Sequence, residues 1–411
     1  MNKGEIMAVN LIERNETQIL KIEGVQVFVG QAGIKKVNHD DLTLLVLNET
    51  NSVAAVVTQN RFCAAPVHIT KQHLATGQGI RALVINTGNA NAGTGQQGRL
   101  DALFICEKVA QQIGCHAEQI LPFSTGVILE PLPADKIAKA LPDVKMASWS
   151  RAAAAIMTTD TVPKLASRCI CVDGQEIHFT GIAKGSGMIH PNMATMLGFI
   201  FTDADIAQPV LQNMIEEVVE TSFNAITVDG DTSTNDSFVV VATGKTLLPR
   251  IEDVAEANYV AIKSVIADLA LELAQAIVRD GEGATKFITV HVKNALTVTE
   301  ARQVAYAVAH SPLVKTAFYA SDPNLGRILC AIGYAGIADL DITLINVHLN
   351  DVLVVENGER AGSYNEQAGQ RVMAEDEITI TIDLARADAE VKIYTCDLSK
   401  EYVAINADYR S

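Results

Sequence analysis

The apolar residues of this chain follow two rhythms that alternate along its length. Runs such as Leu42 to Leu47, Ala82 to Asn86, Met196 to Thr202 and Phe238 to Ala242 have the length and composition of buried strands, whereas Leu103 to Gln112 and Val210 to Phe223 carry helical spacing. Ile262, Ile266, Leu269, Leu273 and Ile277 recur at steps of three and four. That spacing puts them on one face of a helix and predicts Gly281 as the residue that closes it. After about residue 290 the texture changes. Ile342 to Val347, Val352 to Val355, Ile378 to Ile382 and Val391 to Tyr394 read as strands of a smaller C-terminal subdomain, 290–411, and Ser321 to Asn324 as a loop before them. The mixture predicts an α/β or α+β fold.

Composition narrows the function classes. The chain has 411 residues, of which 48% are hydrophobic and 19% charged, enough to bury a sizeable core. Its formal charge of −16, with no basic cluster, argues against nucleic acid as a partner. The first ten residues lack an apolar stretch of signal-peptide length, and no segment approaches the ~18 apolar residues of a membrane span. The expectation is a cytosolic protein with no membrane contact. Seven cysteines, odd in number and scattered, are expected to be free thiols.

Several motifs fail on their own terms. Gly93 to Gly98 satisfies G-x-G-x-x-G, but it sits too far past its strand, and the position twenty residues on offers only Glu118. Asp229 to Asp236 resembles a calcium loop without the sharp-turn glycine or the final glutamate, so it reads as a polar turn, with hydroxyls and carboxylates that would also suit an active site. Cys169 and Cys171 have the spacing of alternating strand residues, not of a zinc knuckle, and no metal site is expected. Neither G-x-S-x-G nor H-E-x-x-H is present.

One segment stands apart: Lys184-Gly-Ser-Gly-Met-Ile-His-Pro-Asn-Met-Ala194-Thr195, continuing as the apolar strand Met196 to Thr202. Its first half can turn sharply, and Thr195 sits at the junction behind the minimal side chain of Ala194. A threonine hydroxyl is a poor nucleophile at neutral pH and needs an adjacent base. Scission between Ala194 and Thr195 would give Thr195 an α-amine with a pKa of about 7.7–8, next to its own hydroxyl. The intact amide has no such basicity, so cleavage would create the catalyst. The commonplace alternative is a loop that merely enters a buried strand.

This segment, with Thr125-Gly126 upstream and the terminal run Asn406 to Ser411, resembles the ornithine acetyltransferase (glutamate N-acetyltransferase) family of arginine biosynthesis. Asn86 to Ala92, Thr158 to Thr161, Val228 to Asp236 and Asp280 to Lys286 match the same family in the same order, so the likeness spans essentially the whole chain. The resemblance implies an α/β/β/α sandwich and self-cleavage into an α chain, 1–194, and a β chain, 195–411. The β chain would contribute 195–289 to the sandwich and 290–411 to the C-terminal subdomain. It implies that Thr195 takes an acetyl group from N-acetylornithine and passes it to glutamate in a ping-pong sequence, without a cofactor, and that the fragments assemble as α2β2. Some members also use acetyl-CoA as donor, although no phosphate-cradling motif here marks a CoA site.

By the same resemblance Thr125 and Gly126 form the oxyanion hole, whose donors are commonly worth about 3–4 kcal/mol each. Substrate contacts map to Thr158, Lys184, Thr195, Glu282, Asn406 and Ser411. Read without the family, Thr125-Gly126 would be an ordinary turn following a strand that ends at Phe123. Lys184 would then be a solvated surface lysine, and Glu282 an exposed loop acid. Two other functions compete: an aminopeptidase or amidase with the same self-made nucleophile, and a non-enzymatic assembly protein that would remain one uncut chain.

Overall fold

The computed structural model describes residues 8–12, 14–190 and 196–408, arranged as two compact units. Ala194 and Thr195 lie outside the described residues, as does Ser411.

The larger unit comprises Ile12–Asn224 and Asp231–Ile277. Its strands are β1 (Val25–Gly30), β2 (Leu42–Leu47), β3 (Ser52–Val57), β4 (Ala82–Asn89), β5 (Ile120–Val127), β6 (Lys145–Met146), β7 (Lys164–Val172), β8 (Gln175–Lys184), β9 (Leu197–Thr202) and β10 (Ser237–Ala242). Its helices are α1 (Ala65–Ala75), α2 (Gly95–Ile113), α3 (Ala134–Ala140), α4 (Trp149–Ala155), α5 (Gln208–Thr221) and α6 (Ala257–Arg279), the last crossing the boundary at residue 277. Two five-stranded sheets form among the described residues, ordered β5-β4-β2-β1-β6 and β3-β10-β9-β8-β7.

Strand alternation sorts their side chains into layers. Leu45, Leu47, Leu83, Ile85, Leu121 and Phe123 of the first sheet share one core with Ile182, Phe199, Phe201, Val239 and Val241 of the second. Leu42, Leu44, Ala82 and Val84 point the other way and pack under Ile69 of α1 and Ala102, Ile105 and Val109 of α2. On the second sheet α5 lies against β3 and β10, and Leu273 of α6 meets Gly181 of β8. The result is an α/β/β/α sandwich, in which each sheet is apolar on both faces because each is covered on both.

The smaller unit takes in Met1–Leu11, Ala225–Gly230 and Val278–Ser411. It holds β11 (Phe287–Ala295), α7 (Val298–Ala309), α8 (Pro312–Tyr319), α9 (Leu325–Gly333), β12 (Asn346–Leu349), β13 (Val352–Glu356), β14 (Glu359–Arg360), α10 (Glu366–Met373), β15 (Glu377–Asp383), β16 (Ala389–Cys396) and α11 (Lys400–Ala407). Its strands form one mixed sheet, β14-β13-β12-β15-β11-β16, packed under the apolar faces of α7, α8 and α9.

Two expectations need correction and a third is refined. Ile342 to Val347 does not begin as a strand: Ile342–Leu344 is a 3-10 turn because Asp341 accepts hydrogen bonds from the backbone N–H and hydroxyl of Thr343, and the strand starts at Asn346. Gly281 follows the last residue of α6, Arg279, by two and so stands at the closing position the spacing predicts, but its backbone is not left-handed. It stands where an added Cβ would meet Cys396 Sγ at 3.1 Å and Val228 at 3.3 Å, so close packing is what requires it there. Finally, the strand expected to end at Phe123 continues to Val127, which puts Thr125 and Gly126 inside β5. The seven cysteines are free thiols. No helix among the described residues is long and apolar enough to cross a membrane.

Candidate active site

The larger unit brings four of the sequence-identified residues into two adjoining contacts. The pairing of β4 with β5 sets Thr125 beside Thr87 and Gly126 beside Gly88. Gly126 has φ +134°, and an added Cβ would lie 2.3 Å from the Gly88 carbonyl carbon and 2.5 Å from the Asn89 nitrogen. Only glycine fits this approach. We expect Gly126→Ala to destabilise the fold by about 3 kcal/mol, combining overpacking with backbone strain. It should also depress whatever activity the site supports; a denaturant midpoint and a rate measurement check both.

The polar residues around this bend are buried and paired. Ser124 Oγ donates to Asn86 Oδ1 at 2.5 Å, Asn86 Nδ2 to the Asn89 carbonyl at 2.9 Å, and Asn235 Nδ2 to the carbonyls of Ala90 (2.6 Å) and Ser124 (2.9 Å). Asn235 lies in the polar stretch 229–236, so that segment braces the strand end. At Gly93 to Gly98 Asn91 Nδ2 donates to the Gly98 carbonyl as the chain enters α2.

Lys184 closes β8 and is 4% exposed, not a solvated surface lysine. Its ammonium donates to Thr125 Oγ1 at 3.3 Å. The Thr125 oxygen is thus occupied as acceptor, which leaves its proton to be donated elsewhere, as an oxyanion donor requires. The negative partner is Asp160, which the sequence marks only as part of a family-matching stretch. Asp160 Oδ1 accepts from Lys164 Nζ at 2.7 Å and from the Gly185 N–H at 2.6 Å; its Oδ2 accepts from the Thr158 N–H at 3.0 Å and lies 4.0 Å from Lys184 Nζ. Both side chains of the Asp160–Lys164 pair are fully buried. Burial alone would raise the Asp160 carboxyl, but the charges of Lys164 and Lys184 and the Gly185 N–H outweigh it and hold the group well below the ordinary carboxylate range. One carboxylate thereby orders Thr158, Lys184 and the start of the glycine loop. A second tie, Thr159 Oγ1 to Ser186 Oγ at 2.7 Å, fastens the same two segments.

Register sets what flanks the proposed junction. Leu197, two residues past Thr195, pairs with Lys184 on β8 and with Ser237 on β10. Ser237 N donates to the Met196 carbonyl at 3.0 Å, so Met196 is held beside Asp236, the residue preceding β10.

In the smaller unit, Glu282 is 7% exposed, not an open loop acid, and Oε2 accepts from Asn406 Nδ2 at 2.7 Å. Gly283, at φ +70°, lets this loop press on the first turn of α11: an added Cβ would lie 2.5 Å from Ser399 Oγ and 2.6 Å from the Tyr402 nitrogen. Asp397 secures the following turn by accepting from the Thr285 N–H (2.7 Å), the Thr285 hydroxyl (2.6 Å) and the Lys286 N–H (2.8 Å). The structure therefore pairs Lys184 with Thr125 in one unit and Glu282 with Asn406 in the other. Asp160 and Lys164 received no role from the sequence beyond lying in or near the family-matching stretch 158–161, and Asp236 only a share in the polar run 229–236 whose carboxylates would suit an active site.

Comparison with known proteins adds the chain's kinship. The ArgJ family model matches residues 26–411. The "Arginine biosynthesis bifunctional protein ArgJ" of Neisseria meningitidis (strain Z2491) is 64% identical over 98% of this chain and 100% of its own length. The protein of the same name from Neisseria gonorrhoeae (strain FA 1090) is 63% identical over the same shares. A crystal structure of the Bacillus halodurans protein of that name is 38% identical, covers 52% of this chain and 99% of its own, and superposes with a TM-score of 0.50. With most of its length matched by the family and relatives this similar end to end, the chain belongs to the ArgJ family.

Proposed function

We propose that this protein carries an acetyl group from N-acetylornithine to glutamate in arginine biosynthesis, through an ester on Thr195, after the chain cuts itself between Ala194 and Thr195. Family membership supports the overall reaction. The observation that carries the chemistry is the buried Lys184 ammonium bonded to Thr125 Oγ1 beside Gly126, with Lys184 paired in register to Leu197 at the start of β9. Scission frees an amine on the residue whose hydroxyl must lose a proton, and the hydroxyl attacks the acetyl carbonyl. Thr125 and Gly126 receive the oxyanion. Ornithine leaves, glutamate enters, and its amine takes the acetyl group.

Substrate binding in this reading falls to Thr158, Lys184, Glu282, Asn406 and Ser411. A zwitterionic substrate needs a cation for its carboxylate and an acceptor for its ammonium, and Lys184 and Glu282 are the matching types. The relatives' description as bifunctional supports acetyl-CoA as a second donor to glutamate. No resident cofactor or metal enters the scheme, and the 1–194 and 195–411 chains stay together as α2β2 in the cytoplasm.

The competing hydrolase reading differs in the fate of the ester, since a transferase must keep water from it. Incubation with N-acetylornithine alone should release about one ornithine per active site, as ping-pong chemistry through one acetylated residue requires. Added glutamate should make release continuous, with N-acetylglutamate formed in equal amount. Continuous ornithine release without glutamate would reject the transferase reading.

A further inference from the structure

Asp236 is 1% exposed, and neither carboxyl oxygen completes a hydrogen bond of good geometry with a described residue. Such a group is costly to a fold, and in a structure where the neighbouring Asn235, Ser124 and Asn86 are all satisfied it calls for an explanation. Its position supplies one. Asp236 immediately precedes β10, Met196 immediately precedes β9, and the two strands run parallel in register from Ser237 and Leu197 onward. The carboxyl thus stands beside the residue that directly follows Thr195 in the chain.

We propose that Asp236 carries the proton for backbone scission at the Ala194–Thr195 bond. The proposal rests on the self-cleavage reading above. The Thr195 hydroxyl oxygen bonds to the Ala194 carbonyl carbon, and the carbon–nitrogen bond to Thr195 breaks. The departing nitrogen takes the proton of the Asp236 carboxyl, and the carboxylate so formed accepts the proton that the hydroxyl gives up. Asp236 ends as it began. Water then splits the ester: its oxygen completes the Ala194 carboxylate, the Thr195 oxygen regains a proton, and the remaining proton goes to the new amine.

A group with this task must be protonated before the step and able to release its proton. Burial drives the Asp236 carboxyl well above the ordinary carboxylate range, against the opposing pull of the Met196 backbone N–H, the Lys184 charge and the Ser233 hydroxyl. Among the described residues, the titratable groups that interact with it are Lys184 at the end of β8 and Cys63 before α1; Lys71 of α1 acts in turn on Cys63. Burial raises the Cys63 thiol above its ordinary value, so Lys184 is the facing charge at neutral pH. The stability sign follows from the raised value. The folded state holds a proton that the unfolded chain releases near pH 4, so the stability this proton contributes is present below that pH and lost as pH rises through the folded value.

The test is Asp236→Asn, nearly isosteric and unable to titrate, compared with the parent chain by electrophoresis of freshly synthesised protein over time and across pH. Expected are processing slowed at least ~100-fold, in the range that general acid–base groups supply, and loss of the parent's pH dependence. The melting temperature should be equal to or above the parent's, by a margin that grows with pH. Asp236→Glu, which keeps the carboxyl, should restore processing with a displaced pH profile, and decides the matter should the asparagine variant not fold. Processing of Asp236→Asn at the parental rate, slow processing with an unchanged pH profile, or Asp236→Glu behaving as the parent in both rate and profile would each overturn the proposal. A parent chain that never cuts would instead overturn the reading beneath it.

Discussion

Replacing Thr195 by alanine should leave a single 44.0 kDa chain with no measurable acetyl transfer. In the proposed scheme the variant loses the hydroxyl that begins scission and, because scission fails, never acquires the amine that would serve as base. Removal of a catalytic nucleophile alone can cost about 10⁶-fold in turnover. In that scheme it also removes the step that makes the enzyme. Thr195→Ser keeps a hydroxyl on the same backbone and should process and transfer at reduced rate. Denaturing electrophoresis and an N-acetylornithine assay read both outcomes, and normal processing of the alanine variant would refute the assignment of Thr195. The adjoining β9 is held by β8 and β10 along its own backbone, and the Met196 carbonyl by the Ser237 N–H.

The second large effect is on stability. Asp160→Asn should lower the free energy of unfolding by about 3–5 kcal/mol, because it leaves the fully buried Lys164 ammonium without its counter-charge. It should cut activity as well, since Asp160 also ties down the Thr158 and Gly185 backbones and lies 4.0 Å from the Lys184 ammonium. The parent enzyme should show the same dependence through pH. A carboxyl held below its ordinary value contributes stability that is present above the unfolded pKa near 4 and lost as pH falls through the folded value. Below about pH 5 the parent should therefore lose stability faster than Asp160→Asn does. Denaturant unfolding of both proteins across pH checks this, and parallel curves would contradict it.

The local rhythm of the chain is largely legible in its amino-acid sequence. The apolar positions 262 to 277 mark the middle of α6, and the strand runs beginning at 42, 82, 196, 238, 352, 378 and 391 fall, to within a residue, where β2, β4, β9, β10, β13, β15 and β16 lie in that order. Where pattern misleads, a non-local or side-chain effect has intervened. The alternation of Ile342 to Val347 mimics a strand, but Asp341 bonds to Thr343 and turns the chain first. Thr125 and Gly126 look like a turn because glycine usually makes one, whereas here glycine permits β5 to touch the Gly88 backbone.

Charge burial is the least legible property. A lysine next to two glycines and a glutamate between two glycines both read as surface residues. Lys184 is buried against Thr125, fifty-nine positions away, and Glu282 against Asn406, 124 positions away, and no local pattern announces such pairings. Asp160 and Asp236 are hidden for the same reason. One is a carboxylate fully paired inside the fold, and the other a carboxyl left without a good partner; in sequence each is an aspartate in a polar stretch.

The central claim is that the chain makes its own catalytic amine, and the intact mass of purified, active protein exposed to N-acetylornithine tests it most directly. The account predicts two polypeptides, 1–194 and a second beginning Thr195-Met196, with an acetyl-sized increase on the second alone. A single unbroken chain of full activity, or an acetyl group carried on residues 1–194, would contradict it.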